Sequence, residues 1–388
     1  VAKVAGQTEG AWERALPGVG TLVVKIGSAV LAPEGRLDEG RVRGLAEQLA
    51  RVHGVGVEVV VVSSGAVASG FGVLGFARPP RGIAQKQASA AVGQPLLMAA
   101  WGAAFAAHGI ATAQSLYTAE DLDKRPRYLN TRRTLGELLA RRVVPIVNEN
   151  DTTSFAEIKV GDNDRLSALT ADLVNADLLL ILSTARGLYA HGNPRHVLAE
   201  VDPEDDLSEH VRPEKSATGV GGIATKIEAA RMAARWGIPT IVAPGQESDV
   251  VARVLRGEVI GSLFAARVGR TTARKRWLLG AARSSGSITV DEGAARAITT
   301  RDASLLPGGI TGVDGGFARD ATVDIRMAGG GVIARGVAVY SAEEVRQIAG
   351  KRASEIEKIL GYTYADEVVH RSDLVLTQRP AGQGGREG

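Results

Sequence analysis

The sequence predicts an α/β protein: a mostly parallel open sheet sandwiched by helices, followed by a small, mostly β domain. Three observations lead there. Short β-branched runs alternate with longer helical patterns up to about residue 266, the signature of strand–helix–strand units. The strand runs are apolar almost throughout, as strands buried on both faces must be. From residue 284 the pattern changes to short strands separated by glycine-rich turns.

In chain order, TLVVKIG (21–27) reads as a strand and LDEGRVRGLAEQLARVH as an amphipathic helix. VEVVVVSSG (57–65) is a buried strand, and the alanine-rich run from Ile83 is helical, with a break expected at Pro95. IATAQSL, VVPIVNEN, ADLLLILS and IPTIVAPG are further strands. RYLNTRRTLGELLARR, DRLSALTADLVN and IATKIEAARMAARWG are the helices between them. Residues 267–283 carry six basic residues and no acidic one, and read as a linker. GSITVDEG, LLPGGITGVDG and ATVDIRMAGGGVIARGVAVY supply the strands of the second domain, and EEVRQIAGK a helix. The expected organisation is a flexible tail (1–18), a large α/β domain (19–266), the basic linker (267–283), a small β domain (284–362) and a C-terminal tail (363–388).

Composition narrows the function. Cysteine is absent, which excludes disulfides, thiolate catalysis and Cys-ligated zinc. The net charge of +3 is too small to imply a nucleic-acid partner by itself. No apolar run is long enough to span a membrane, and the N-terminal stretch lacks the apolar centre of a signal peptide. A cytoplasmic protein is expected.

Ligands of a parallel sheet bind beyond the carboxyl ends of its strands, and here those ends are polar. They read Lys25-Ile26-Gly27-Ser28, Ser63-Ser64-Gly65-Ala66, Asn148-Glu149-Asn150-Asp151 and Ser183-Thr184. A glycine-rich turn, Gly219-Val220-Gly221-Gly222, leads into Ile223-Ala224-Thr225-Lys226. Turns of this kind offer backbone N–H groups and a positive dipole end to phosphate, and Lys25 and Lys226 would add two full charges. The stretch IKVGDNDRLSA (158–168) places Asp162, Asn163 and Asp164 close behind Lys159. Lys25 alone, or the glycine-rich turn alone, reads more readily as a solvated strand end or turn; together with the acidic and amide cluster they favour a site for a charged small molecule. No P-loop is present. GFGVLG (70–75) matches GxGxxG but starts past the strand end and is followed by Pro79-Pro80 rather than a helix. His191 and His196 sit in a proline-containing loop and read as solvated side chains, so no protein metal site is expected.

VVKIGSAVL, VVSSGA, VPIVNENDT, EIKVGDNDRLSAL, GLY and GGIATKIEAA follow one another at spacings that resemble the glutamate 5-kinase family of the amino acid kinase superfamily. KRW and GSITVDEGA resemble the start of that family's C-terminal PUA domain. The resemblance covers roughly residues 20–362. It implies phosphorylation of L-glutamate by ATP with Mg²⁺, the first step of proline synthesis, feedback inhibition by L-proline, and a homo-oligomer. It assigns Lys25 and Lys226 to the ATP phosphates, and Ser64, Asp151 and Asn163 to glutamate. Asp164 would organise the charges around the lysines. Ser183, Thr184 and the residues Val220, Gly221, Gly222, Ile223, Ala224, Thr225 and Lys226 would line the nucleotide site. The chain departs from the family at Ser183-Thr184, where Thr-Asp is usual, at Val220 and Ile223, where Thr and Met are usual, and at Asn193-Pro194, where Asp-Pro is usual.

Three alternatives stay open at this stage. One is a superfamily kinase for aspartate, acetylglutamate or carbamate. Another is RNA binding through the PUA-like domain, although residues 284–362 hold nine Lys/Arg against ten Asp/Glu. The last is an inactive sensor of glutamate or proline.

Overall fold

The computed structural model describes residues 3–4, 18–153, 162–211, 222–266, 284–301 and 303–377. Lys159, Val220, Gly221 and the basic stretch 267–283 therefore lie outside the described residues. The chain divides into two compact units, Val1–Arg270 and Thr271–Gly388.

The first unit is built on a sheet whose strands in chain order are β1 (Lys3–Val4), β2 (Thr21–Ile26), β3 (Glu58–Ser63), β4 (Thr112–Tyr117), β5 (Val144–Glu149), β6 (Leu178–Ser183), β7 (Leu198–Val201), β8 (Thr240–Pro244) and β9 (Ser262–Phe264). Their spatial order is β1-β7-β9-β8-β6-β2-β3-β5-β4. From β8 to β4 every neighbouring pair is parallel. The far edge breaks the rule: β9 runs antiparallel to β8, and β1 antiparallel to β7. Residues 3–4, expected within a loose tail, thus pair through the backbone with Leu198 and Glu200. The helices that matter below are α1 (Glu39–Gly54), α2 (Ile83–Ala106), α3 (Arg125–Ala140), α4 (Asp162–Leu173) and α5 (Ile223–Arg235).

Strand periodicity sorts the core into two layers. Leu22, Val24 and Ile26 of β2 pack with Val42, Leu45 and Leu49 of α1 and Leu97 and Trp101 of α2. Val23 of β2 and Val60 and Val62 of β3 pack on the other face with Leu135, Leu166, Leu169 and Ile227 of α3, α4 and α5. Side chains alternate along a strand, so Lys25 shares the face of Val23. The polar end of β2 is thereby aimed at the α4–α5 side.

Helix α2 does not break at Pro95; it runs through it. Pro95 and Ala91, whose carbonyl loses its usual partner, are both exposed, so water can satisfy that group and the penalty of an interior proline falls. The same helix makes a backbone-to-backbone contact with the short helix Ala66–Gly70. A Cβ on Gly93 would lie 1.8 Å from Ala66 O, and one on Gly70 2.0 Å from Ser89 O. Only glycine permits that approach. Gly65, at φ 119°, makes the turn out of β3.

The second unit is a five-stranded sheet of order β11-β10-β12-β13-β14. Its strands are β10 (Gly286–Val290), β11 (Ile310–Gly315), β12 (Thr322–Met327), β13 (Val332–Val337) and β14 (Leu374–Leu376). Only β10 and β12 are parallel. Two helices accompany the sheet, α6 (Glu292–Arg301) and α7 (Ala342–Ile348), the latter started by a Ser341–Glu344 capping box. The sheet corrects the expectation of a tail from residue 363. Strand β14 pairs with β13, and Val368 and Val369 are buried, because the apolar alternation VVHRSDLVL still has a face to hide. Among the described residues no helix is long and apolar enough to cross a membrane.

Each unit has its own core: the two layers about β2 lie wholly in the first, and Ile288, Val323, Ile325, Tyr340 and Val345 belong to the second. A chain ending at Ala266 is expected to fold alone and unfold in one cooperative transition by circular dichroism. An insoluble or non-cooperative product from a parent that itself unfolds cooperatively counts against independent units.

Candidate active site

Because β2, β3, β5, β6 and β8 are parallel, their carboxyl ends form one edge. Contacts from the first turns of α4 and α5 reach that edge. Asp164, in the first turn of α4, is fully buried, while Lys25 at the end of β2 is 3% exposed and Lys226 in the first turn of α5 is 5% exposed. Lys25 Nζ lies 2.6 Å from Asp164 Oδ1 and Lys226 Nζ 3.1 Å from Asp164 Oδ2. The Thr225 hydroxyl lies 2.6 Å from the same Oδ2.

The electrostatics follow from that arrangement. Burial pushes the Asp164 carboxyl up, but the ammonium groups of Lys25 and Lys226 outweigh it and hold the carboxyl at about 2. Burial, then the charge of Lys25, lowers Lys226 below its ordinary value, and Asp164 only partly restores it. Two ammonium groups thus converge on one buried carboxylate. Both would attract an incoming anion.

The next residue toward the N-terminus serves a different group. Asn163 Nδ2 donates to Ser64 Oγ at 2.9 Å and to Asn148 Oδ1 at 3.0 Å. Ser64 stands just past β3, its N–H donating to Ile26 O at 3.1 Å. Asn148 lies near the end of β5 and is buried. Asn163 Oδ1 is buried and has no partner among the described residues, a state that typically costs about 1–3 kcal/mol. The first turn of α4 thus carries two adjacent side chains that face separate halves of one site: Asp164 the lysines, Asn163 the neutral hydroxyl and amides.

The remaining described residues singled out in the sequence lie at strand ends and at the start of α5. Asp151 occupies the turn after β5. Ser183 closes β6 with its Oγ accepting from Ala185 N at 3.3 Å, and Thr184 beyond it is exposed. Helix α5 begins at Ile223 behind Gly222, and among the described residues no side chain caps it. A helix start of this kind can receive an anion. Gly222 and Ala224 are exposed, and Thr225 is turned inward to Asp164. Two residues escaped the sequence reading as site members. Asn148 stood in the polar strand end but carried no motif role, and Gln94 of α2 carried no signal at all. Both belong to the amide network: Asn148 Nδ2 donates to Gln94 Oε1 at 2.8 Å.

Among the described residues, two groups could be considered for metal ligation. Both Asp164 oxygens face ammonium groups. His191, Glu209 and His210 do cluster, but His210 Nδ1 accepts the backbone N–H of His191 at 3.0 Å. That leaves the proton of the neutral ring on Nε2, which faces Glu209 Oε1 at 3.5 Å. The group is a hydrogen-bonded surface cluster.

Comparison with known proteins agrees with the architecture. Residues 20–244 match the model of the amino acid kinase family, and residues 286–360 that of the PUA domain. The chain is 47% identical to the glutamate 5-kinase of Trichlorobacter lovleyi over 92% of its own length and 96% of that protein's. It is 46% identical to the glutamate 5-kinase of Thermus thermophilus, covering 92% and 97%, and 45% identical to that of Deinococcus radiodurans, covering 92% and 99%.

The ion cluster has a measurable signature. Asp164 titrates at about 2 in the folded chain against an ordinary 3.8. Its ionised form therefore stabilises the fold above the ordinary value, and that stability is lost as pH falls from 3.8 through about 2. Replacing it by Asn strands two buried ammonium groups and is expected to cost about 3–5 kcal/mol near neutral pH. Denaturant unfolding of parent and Asp164→Asn across this range should show the gap narrowing as the pH drops. A gap that stays constant down to the lowest pH would remove Asp164 as the charge partner of the lysines.

Proposed function

Since the chain belongs to the amino acid kinase family, within its glutamate 5-kinase branch, we propose that this site transfers the γ-phosphoryl group of ATP to the side-chain carboxylate of L-glutamate. The product is L-glutamyl 5-phosphate, and the reaction opens proline biosynthesis. The observation that carries the reading is the pair of buried lysines, Lys25 and Lys226, gathered on the Asp164 carboxylate where the carboxyl ends of the parallel strands meet the first turns of α4 and α5.

The chemistry asks for little else. Glutamate's side-chain carboxylate has an ordinary pKa near ~4.3 and is ionised at neutral pH, so the nucleophile needs no general base. The obstacle is that an anionic oxygen must approach a polyanionic phosphate. Catalysis then reduces to positioning and electrostatic stabilisation. In this reading Lys25 and Lys226 neutralise the transferring phosphoryl group, and Asp164 holds both ammonium groups at fixed positions. The N–H groups at the start of α5 take the remaining phosphate oxygens. Ser64, Asp151 and Asn163 hold glutamate on the other side. Mg²⁺ arrives with ATP as part of the substrate. Ser183 and Thr184 border the nucleotide, a cytoplasmic setting and feedback by L-proline complete the reading.

The direct test is ADP release with ATP, Mg²⁺ and glutamate, paired with hydroxylamine trapping of the acyl phosphate. Release that does not depend on glutamate overturns the proposal. Within it, Lys25→Ala and Lys226→Ala are expected to lower turnover about 10²-fold or more, because each charge matters most as negative charge shifts in the transition state. A turnover within about twofold of the parent would strike that lysine from the catalytic set.

Thr184 offers a neutral hydroxyl where the family usually has a carboxylate. A charged acceptor typically strengthens a hydrogen bond to about 1.5–3 kcal/mol. Thr184→Asp is therefore expected to lower the KM for ATP several-fold and leave the KM for glutamate unchanged. An unchanged or raised KM for ATP in steady-state kinetics would show that Thr184 does not touch the nucleotide.

A further inference from the structure

Among the described residues, Lys25, Lys226 and Thr225 all reach the Asp164 carboxylate, and they hold it in different ways. Lys25 lies 2.6 Å from Oδ1, yet that oxygen is buried and accepts no well-directed hydrogen bond. The directed bonds arrive at Oδ2, both from the first turn of α5: the Thr225 hydroxyl at 2.6 Å and the Lys226 ammonium at 3.1 Å. These two donors differ in stiffness. A lysine reaches its partner over a flexible four-carbon stem with three rotatable donors. The oxygen of a threonine is placed by χ1 alone, and the β-branch restricts that angle. Thr225 is therefore the stiffer of the two donors that orient the carboxylate.

The hydroxyl has one proton and two acceptors beside it. Asp164 Oδ2 lies at 2.6 Å and the carbonyl oxygen of Gly222 at 2.9 Å. The carboxylate is the charged and the nearer acceptor, so it takes the proton. A phosphate oxygen would come to Thr225 as a third acceptor and find no proton to bind. Backbone N–H groups of the same turn can meet a phosphate; this hydroxyl cannot. We infer that Thr225 is a positioning residue whose hydroxyl fixes the rotation of the Asp164 carboxylate, and through it the places of Lys25 and Lys226, and that it is not a ligand of the nucleotide. The catalytic consequence rests on the proposed function. In that reaction both ammonium groups turn protons towards the transferring phosphoryl group, at the moment when Asp164 needs another donor. Thr225 supplies it without competing for the phosphate, so the carboxylate does not rotate after the lysines. Charge stabilises a transition state best when its support stays in place.

The mount is rigid as well. Ile227, Ala229, Ala230 and Ala233 of α5 are buried in the same core layer as Leu166, Leu169 and Leu173 of α4. The hydroxyl thus bridges the first turns of two helices whose following turns share one packed core.

The test compares Thr225→Val, which keeps the β-branch and removes the hydroxyl, with Thr225→Ser, which keeps the hydroxyl. In steady-state kinetics of the full chain with ATP, Mg²⁺ and glutamate, Thr225→Val is expected to lower kcat about tenfold and leave both KM values within about twofold of the parent. Thr225→Ser is expected to hold kcat within about threefold. A residue that only fills space gives the opposite order, because valine keeps both branches and serine loses a methyl group. A nucleotide ligand gives a raised KM for ATP with kcat retained. The second readout needs no substrate. Without the hydroxyl the Asp164 carboxyl moves up from about 2 towards its ordinary 3.8. Urea unfolding of the ligand-free parent and Thr225→Val should therefore show a stability gap above pH 3.8 that narrows as the pH falls through about 2. An unmoved kcat, a raised KM for ATP with kcat retained, or a gap that stays constant across that range overturns the inference. A parent inert towards glutamate overturns the proposed function instead, and the pH dependence of the gap then decides by itself whether Thr225 holds Asp164.

Discussion

Asp164 is the group on which the rest of the site depends. It is fully buried, it faces two ammonium groups, and its position in the first turn of α4 ties three elements together: β2 through Lys25, α5 through Lys226 and Thr225, and its own helix. One carboxylate holds two buried ammonium groups side by side, which is the kind of fixed positive charge that phosphoryl transfer requires. The parallel sheet makes this possible, since only there do strand ends and helix starts meet at one edge.

The other half of the site avoids charge. Ser64, Asn148, Asn163 and Gln94 contribute hydroxyl and amide groups only, linked by hydrogen bonds of 2.8–3.0 Å. Extra carboxylates here would compete with the phosphates for the lysines; extra cations would repel the substrate's ammonium. Neutral groups can be directional without doing either. Adjacent residues of one helical turn face different groups, Asn163 a hydroxyl and an amide, Asp164 two ammonium groups.

Rigid packing at the backbone level supports the directional half. The contact of Gly93 with Ala66 O leaves no room for a side chain, and α2 continues through its proline, which lies on the wet face. Trp101 of the same helix donates to Ser63 Oγ at 2.9 Å, which fixes the end of β3 one residue before Ser64. Relaxing any of these contacts would move an amide or hydroxyl that has to point one way.

Much of this protein can be read from sequence alone. Apolar runs alternating with amphipathic helices specify a parallel sheet, because buried strands and their covering helices have distinct periods. Polar strand ends mark the edge where a ligand would sit, and strings such as VVKIGSAVL, EIKVGDNDRLSAL and GGIATKIEAA single out Lys25, Asn163, Asp164 and Lys226 by their resemblance to a family. Sequence does not say which polar atom faces which. Asn148 and Gln94 look like ordinary strand-end and helix-face residues until β5, α2 and α4 are brought together, and the antiparallel edge at β9, the unbroken helix at Pro95 and the late strand β14 depend on where a segment finds a partner or water. Pattern along a chain sets which groups are buried and at what period. Hydrogen-bond direction and the balance of buried charge arise between residues distant in sequence, such as Lys25 and Asp164 or Gln94 and Asn148, and so only the tertiary structure decides them.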